Sequence, residues 1–507
     1  MGQNLVRASS RFRAPLRFGG LALLIGTIVA CGGGGGSSDT PAGTPTPRPS
    51  PVVPITPPGP ARSTAEIILR NGDQVTSDLR VANIEDASLG SDGAAAVLVE
   101  VADAGNRMAI VARAADGSYA TVFDPRRDDT GIDATSLTRL RIAPTGEMVF
   151  QSGSGLDSDR LHRIANGTLQ TIAGAAPGPV FPEFRILGNV RIGAGGLVAF
   201  VGGGQECEVV VGDNEPRVTC TNALYVADST GVVRLDDTGL DLARQRASTI
   251  RVEIAPDQGT WFSLPRRGTA PMLLRFADGE ATTVLDGATA LPGVGTLNSA
   301  EAVAVNASGQ VLLEGDLQAV EGEQRPQVIG LLNGESFALI AEEGTVLGGE
   351  NVVSLRGLAL DGAGRALFEA QLGSADAPAD QVNSLWLGND RGLIEIAREG
   401  QQLSSEQVTV LRVLGSRLDA AGDVAFLTEL GTSSGGVNQL QEVRATVRRA
   451  DGRLVTIAST RHTGQFGELS SLQIVGYDDA GTLLMIGVRG RSSDRVLLLG
   501  RSDQSAG

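Results

Sequence analysis

The sequence contains no lysine, so every basic side chain is an arginine or one of two histidines. Acidic residues outnumber basic ones and give a formal net charge of −16 at pH 7. A nucleic-acid partner needs a basic patch that neutralises phosphates, and anionic lipid attracts clustered cations. The charge balance therefore argues against nucleic acid as a partner and against an electrostatic hold on a membrane.

Long apolar runs are also missing, and the longest stretch near the N-terminus covers only residues 18–30. A helix needs about 20 apolar residues to cross a bilayer core. Thirteen residues after a basic start suit the central part of a signal peptide instead. The basic start consists of Arg7, Arg11, Arg13 and Arg17. Residues 1–30 are therefore predicted to be a signal peptide.

The apolar stretch ends in Ile28-Val29-Ala30-Cys31, which has the form of a lipobox. In such a motif the cysteine thiol receives a diacylglycerol before the signal peptide is removed, and two or three acyl chains anchor a protein stably. An ordinary signal peptide that happens to contain a cysteine is the alternative. In diderm bacteria an aspartate after the cysteine favours the inner membrane, so Gly32 favours the outer membrane.

Residues 31–61 follow as a lipidated cysteine and a Gly/Ser/Thr/Pro-rich linker that cannot bury a core. Beyond the linker, only two cysteines remain, Cys207 and Cys220. An exported chain lies where disulfides persist, and two remaining cysteines pair more simply than they stay free. We predict a disulfide between them. Two thiolates without a nearby histidine do not complete a zinc site, so neither a metal nor another cofactor is predicted.

Residues 62–507 are dominated by a repeat. Each copy consists of an apolar strand, a short turn that ends in glycine, and a second apolar strand. Asn306, Asp361, Asp419 and Asp478 open turns in which a short polar side chain bonds the backbone two residues on. The glycine closes the turn in a left-handed conformation. The turn glycines, spaced 50 to 63 residues apart, are Gly93, Gly146, Gly196, Gly259, Gly309, Gly364, Gly422 and Gly481.

A second hairpin follows seven of these first hairpins, with turns such as ADGS at 115–118 and ADGR at 450–453. Two hairpins make a four-stranded unit, and repeats of this length are typical of propeller blades. Strands such as LVAF at 197–200 are apolar at consecutive positions, as expected when both faces are covered. The sequence thus predicts an all-β fold, a β-propeller of eight blades, with seven as the alternative.

The two ends of the repeat region are predicted to share the closing blade. Residues 65–76 read as a second hairpin with no first hairpin before it. The C-terminus supplies an eighth first hairpin and one further strand, residues 495–500. Shared closure would hide the open sheet edges of a ring. We also predict that the protein is a monomer.

With these repeats the chain resembles uncharacterised bacterial lipoproteins that carry tandem Asn/Asp-x-x-Gly-x-Val-Ala-Phe repeats. The segments that carry the likeness are ALFEAQL after Gly364, DVAFLTEL after Gly422 and GAAPGPVF at 174–181, and it covers roughly residues 65 to 500. The resemblance implies a propeller-like fold and no known activity.

Residues that would carry catalysis are scarce. His162 and His462 are the only histidines, and neither belongs to a fixed motif with a partner. A Ser-His-Asp arrangement stays open because triads form in space, but no G-x-S-x-G elbow, P-loop or HExxH is present. We name no catalytic residue. The turn aspartates could in principle bind calcium, which needs six to eight oxygens, but turn capping explains them better.

Arg141, Arg191 and Arg417 occupy the same place in their repeats, five residues before the turn glycine. Guanidinium groups on inner strands could converge on the central funnel and bind a carboxylate or sulfate bidentately. The alternative is that each side chain extends to a blade edge.

Three functions remain open at this point. The first, which we favour, is an envelope lipoprotein whose propeller binds a protein or a cell-envelope polymer. The second is a glycan-acting hydrolase or lyase with its site in the funnel, and the third is a purely structural envelope lipoprotein. An enzyme should gather carboxylates or a histidine in the funnel, whereas a scaffold should expose an apolar patch.

Overall fold

The structure is a computed structural model of the full chain, which divides into two units, residues 1–46 and 47–507. All described residues belong to the second unit. They run from 64 to 502 without 103, 106, 125, 128–131, 133–134, 154–159, 175–185, 212–215, 230, 236–249, 257–258, 265–271, 287–288, 319–325, 404–407, 435–436, 462–468 and 491–493. Only the backbone is described for 186–188, 203–211, 216–222, 272, 433–434 and 437.

The described chain is built from eight antiparallel sheets, as the repeat predicts. Strand β1 (Glu66–Arg70) comes first. Blade 1 contains β2 (Gln74–Thr76), β3 (Leu79–Leu89), β4 (Ala95–Val101), β5 (Met108–Arg113) and β6 (Tyr119–Phe123). Blade 2 contains β7 (Leu137–Ile142), β8 (Met148–Ser152), β9 (Arg160–Ala165) and β10 (Thr168–Gly174).

Blades 3 to 5 continue the same order. Blade 3 contains β11 (Ile186–Ile192), β12 (Val198–Val211), β13 (Pro216–Ala227) and β14 (Val232–Arg234). Blade 4 contains β15 (Arg251–Ile254), β16 (Thr260–Leu264), β17 (Met272–Ala277) and β18 (Glu280–Leu285). Blade 5 contains β19 (Ala290–Leu291), β20 (Gly295–Val305), β21 (Val311–Leu317), β22 (Gln327–Asn333) and β23 (Ser336–Glu342).

Blades 6 to 8 complete the set. Blade 6 contains β24 (Val346–Leu347), β25 (Glu350–Leu360), β26 (Ala366–Leu372), β27 (Val382–Asn389) and β28 (Gly392–Arg398). Blade 7 contains β29 (Gln402–Leu403), β30 (Val408–Leu418), β31 (Val424–Ser434), β32 (Val437–Arg448) and β33 (Leu454–Ser459). Blade 8 contains β34 (Leu469–Tyr477), β35 (Thr482–Arg489) and β36 (Arg495–Arg501) together with β1.

The eight blades form a closed ring, and the chain is an eight-bladed β-propeller. The inner strands β3, β7, β11, β15, β20, β25, β30 and β34 contact one another in this order, and β34 contacts β3 again. Blades 1, 5, 6 and 7 carry one extra strand of two or three residues beside the inner strand. The prediction of eight blades is confirmed. In the described part of the chain, no helix is long and apolar enough to cross a membrane.

The repeat builds each blade because its turn and its strands specify the same local structure. Seven of the eight turn glycines have a positive φ, from +74° at Gly196 and Gly309 to +96° at Gly146, whereas the residues before Gly259 lie outside the described part. The apolar strand after the turn is buried on both faces, and every residue of β8 and β16 is buried. Packing between blades thus supplies the core, at about 1.5 to 3 kcal/mol for each large aliphatic side chain.

The closing blade is shared by the two ends of the chain, as predicted. The prediction of an N-terminal hairpin at residues 65–76 is wrong. Strand β1 pairs with β36, whereas β2 pairs with β3 in the next blade, so the turn at residues 71–73 crosses from blade 8 to blade 1. Leu69 of β1 is buried in the core between these blades, and Ile67 packs on the opposite face against blade 7. The backbone N–H groups of Thr64 and Ala65 also donate to the carbonyl of Ile457.

Candidate functional site

A cavity of about 510 Å³ opens at the inner strands of four consecutive blades, 7, 8, 1 and 2. It lies beside the closing blade, and most of its polar side chains come from the innermost strands. Its polar lining comprises Glu85, Asp86 and Ser88 of blade 1, Arg141 of blade 2, Arg417 of blade 7, and Ser471, Gln473 and Arg495 of blade 8. No sequence segment contributes this surface alone, because four repeats must close into a ring to form it.

Two of the three repeat arginines meet at this cavity. Arg141 and Arg417 are both exposed, and each donates through Nη1 to the carbonyl of the residue before it, Leu140 at 2.6 Å and Ser416 at 2.8 Å. Burial against the protein and the nearby charge of Arg141 both lower the pKa of Arg417. Among the described residues no carboxylate forms an ion pair with Arg417. Both guanidinium groups therefore line one cavity as like charges that repel each other.

The two carboxylates of the cavity are engaged to different degrees. Oδ2 of Asp86 lies 3.8 Å from Nη1 of Arg141. At this distance the two groups form an ion pair but no hydrogen bond. Burial raises the pKa of Asp86, and Arg141 opposes that shift. Glu85 lies 3.4 Å from Nη1 of Arg495, which also donates to the carbonyl of Ile84 at 2.8 Å. Arg495 thus ties blade 8 to blade 1.

Arg191 has a different environment and does not line the cavity. Its Nη2 lies 2.9 Å from Oε1 of Glu253 on the inner strand of blade 4. Burial alone would lower the pKa of Arg191, but the carboxylate of Glu253 raises it. Arg251 pairs in turn with Glu301 of blade 5. On this side of the ring the arginines clamp neighbouring blades together.

His162 forms a Ser–His contact that cannot act on a ligand. Its Nε2 is 2.7 Å from Oγ of Ser152 and its Nδ1 is 3.0 Å from Oγ1 of Thr171, while its ring stacks on Phe150. The side chain of His162 is completely buried, and that burial lowers its pKa to about 4. A neutral imidazole that is fully buried offers no surface to a substrate, and no carboxylate contacts it among the described residues. His462 lies outside the described residues.

The turn aspartates cap their turns. In blade 6, Oδ1 of Asp361 accepts hydrogen bonds from the backbone N–H groups of Ala363 at 2.9 Å and Arg365 at 2.7 Å. Asn306 caps its turn in the same way, and its Nδ2 also donates to the carbonyl of Asp361 in the next blade. These bonds occupy the oxygens that a calcium site would need. In the part of the chain that is described, no group of three or more potential metal ligands occurs.

The cysteines fall in two different parts of the chain. Cys31 lies outside the described residues. Cys207 and Cys220 are direct partners in the backbone register between β12 and β13. Directly opposed residues of antiparallel strands have Cα atoms about 4.5 to 5.5 Å apart, which is within the usual range for a disulfide. The register supports the predicted bond, which stays a prediction.

Sequence reasoning named Arg141 and Arg417 but missed their neighbours. Gln473 and Glu253 stand on inner strands where polar and apolar residues alternate, and that alternation is the signal for them. Asp86 gives no such signal, because it directly follows Glu85 where the strand register shifts. Where the alternation holds, it identifies the channel-facing side of a strand. It does not reveal which strands face each other, because that depends on how neighbouring blades are staggered.

Comparison with known proteins adds a family match and a set of folds. Residues 305–504 match the model described as "Family of unknown function (DUF7453)", which corresponds to the repeats whose turns open with asparagine or aspartate. No curated protein matches the chain.

Solved structures with similar folds include the acylaminoacyl peptidase of Pyrococcus horikoshii, with 13% identity, a TM-score of 0.40 and 80% of this chain covered. This chain spans only 57% of that peptidase. The β-propeller domain of the Trilobed protease from Pyrococcus furiosus shares 11% identity over 84% of this chain and 97% of its own, at a TM-score of 0.40. The Dos1 propeller shares 11% identity with this chain, over 88% of this chain and 96% of its own, at a TM-score of 0.41. Likenesses at these scores carry no argument about function.

Proposed function

We propose that this chain is a lipoprotein of the bacterial cell envelope, anchored through Cys31, whose propeller acts as a binding module. The observation that carries the binding role is the polar cavity formed by four blades. Ring closure requires apolar packing between blades, but it does not require charged side chains that face an open cavity without full pairing. A purely structural propeller would pair these charges, as blades 3 and 4 do through Arg191 and Glu253.

The anchoring part of the proposal is supported by the order of sequence features. A basic start, a short apolar stretch and Cys31 come first, and residues 32–61 then form a spacer that would hold the propeller away from the lipid. Gly32 favours the outer membrane as the destination.

The partner we favour is a cell-envelope polymer or a fragment of one. Among the described residues the large hydrophobic side chains that are exposed are Val233, Val346, Ile394 and Leu440, on blades 3, 6 and 7. Single exposed apolar residues are normal on a protein surface and do not form a docking patch. The cavity, in contrast, offers convergent polar groups of the kind that orient small ligands.

The test of this proposal has two arms. Cys31→Ser should abolish labelling by a fatty-acid analogue and move the protein from the membrane to the soluble fraction. Continued labelling and membrane association of that variant would contradict the anchor. Crosslinking in intact cells, followed by purification of the wild-type chain, should recover envelope polymer or its fragments, and recovery equal to that of an unrelated lipoprotein would contradict the binding role.

A further inference from the structure

We propose that the cavity beside the closing blade binds an oxyanion, a carboxylate or a sulfate, between the guanidinium groups of Arg141 and Arg417. The inference rests on the proposed binding role and names the chemistry of the ligand. A saccharide that carries one acidic group fits the site best.

Among the described residues, the charged side chains that line the cavity leave one positive charge without a carboxylate partner. Three guanidinium groups, those of Arg141, Arg417 and Arg495, face the two carboxylates Glu85 and Asp86. Arg495 is paired with Glu85, and Arg141 lies near Asp86, so Arg417 is the group left over. In a chain with a net charge of −16, a local excess of positive charge is unusual. It is an arrangement that a single bound anion would neutralise.

The donors of both arginines are also available. An arginine has five N–H donors, and each of these side chains uses Nη1 for the carbonyl of its preceding residue. No other hydrogen bond from either guanidinium group reaches an acceptor in the described part of the chain. An oxyanion accepts paired N–H donors in a fork geometry, and its charge would offset the burial and the nearby charge of Arg141, which together lower the pKa of Arg417.

The remaining wall suits hydroxyl groups. Ser471 and Gln473 are exposed on blade 8, and the carboxylate of Asp86 is a further acceptor. A volume of about 510 Å³ lies within the range of small-molecule sites and has room for a monosaccharide or disaccharide. Glu85 and Asp86 would repel a second acidic group, which favours a ligand with one anionic group over a densely charged polymer.

The experiment is a calorimetric titration of the detergent-solubilised full chain with sodium glucuronate, sodium sulfate and glucose as probes. We expect glucuronate to bind at least tenfold more tightly than glucose, and sulfate to compete with it. Arg417→Gln should weaken the binding of glucuronate at least tenfold. Raising sodium chloride from 50 to 500 mM should weaken it further because exposed charges are screened.

Arg356→Gln is the matched control. Arg356 lies on the inner strand of blade 6, is 70% exposed, pairs with Glu369 at 3.6 Å and does not line the cavity. Its loss should leave the affinity for glucuronate unchanged. Arg417→Lys keeps the positive charge but loses the paired N–H donors of the guanidinium group. Its affinity for glucuronate should lie between those of the wild type and Arg417→Gln.

Equal affinity of the wild type and Arg417→Gln would overturn the proposal, and so would the absence of binding by glucuronate and sulfate at 20 mM. Circular dichroism of each variant separates loss of folding from loss of the site, and Arg141→Gln provides a second, independent variant. If Cys31 proved not to be lipidated, the proposed anchor would fail while this titration would still give the same result.

Discussion

The two sides of the central channel use the same repeat position differently. Arg191, on the side of blades 3 to 5, is held at 2.9 Å by Glu253. Arg417, on the side of the closing blade, has no carboxylate partner among the described residues and lines the same cavity as Arg141. One arginine is paired across two blades, and the other is the one that we propose binds a ligand. A repeat position therefore fixes where a side chain emerges, and the neighbouring blade decides what it does.

The largest effect is expected when the closing side is broken at the ring itself. Deleting residues 62–78 removes β1, which pairs with β36 and buries Leu69. An unpaired strand edge and open apolar faces should then cause aggregation or loss of the cooperative thermal transition. Deleting residues 32–61, which form the linker, should leave the midpoint unchanged. Equal midpoints for the two deletions would mean that β1 does not close the ring.

His162, which is buried inside blade 2, is expected to make stability depend on pH. His162 is neutral in the fold because burial lowers its pKa from 6.5 to about 4. Its contribution is therefore fully present above pH 6.5 and is lost as the pH falls from 6.5 through 4, by at most about 3 kcal/mol. His162→Gln, which does not titrate, should flatten the acid limb of stability measured by urea unfolding. An identical pH dependence in both proteins would assign that limb to other groups.

Removing Arg191 and Arg417 in turn should affect stability differently on the two sides of the channel. Arg191→Gln removes the hydrogen-bonded partner of the Glu253 carboxylate, so it should lower the free energy of unfolding by about 1 to 3 kcal/mol. Arg417→Gln removes a charge that only repels Arg141, so stability should stay within about 0.5 kcal/mol or rise slightly. Urea unfolding of both variants beside the wild type measures the difference. Equal losses would show that the two arginines play the same structural role.

The smallest effect is expected from the cysteine pair, which lies outside the comparison of the two channel sides. Cys207 and Cys220 are already neighbours in the ladder between β12 and β13, so a bond between them would constrain only that hairpin. Mass spectrometry of the exported protein should find neither thiol alkylated unless a reductant is added. Reduction should then change the global stability by only about 0 to 1 kcal/mol, at the low end of the usual range. Two freely alkylated thiols would contradict the disulfide.

The sequence was sufficient to predict the blades because their signals are local. Asp361 and Gly364 specify one turn between two apolar strands, and the turn forms as predicted with Oδ1 of Asp361 as its cap. The prediction for residues 71–73 is wrong because it, too, depends on a local signal. An Asn-Gly turn between two short strands is typical of a hairpin, but here the chain crosses from one blade to the next.

The site could be predicted only in part because it is not local. The position of Arg141 and Arg417 before the turn glycine indicates inner strands, and the structure places both at one cavity. Nothing in the repeat distinguishes them from Arg191. The distinction arises because Glu253 lies opposite Arg191, whereas no carboxylate lies opposite Arg417 in the described part of the chain. Such cross-blade pairing depends on the stagger of strands that are about 60 residues apart.

The central claim is that the closing side of the channel holds an open positive charge while the far side does not. Its most direct test is a crystal structure of the protein soaked in selenate, a sulfate analogue that is located by its anomalous scattering. We expect a selenate ion within hydrogen-bond distance of both Arg141 and Arg417, and none at Arg191. Equal occupancy of selenate at Arg191 would contradict the claim. So would a cavity without selenate in a crystal that binds selenate elsewhere on the protein surface.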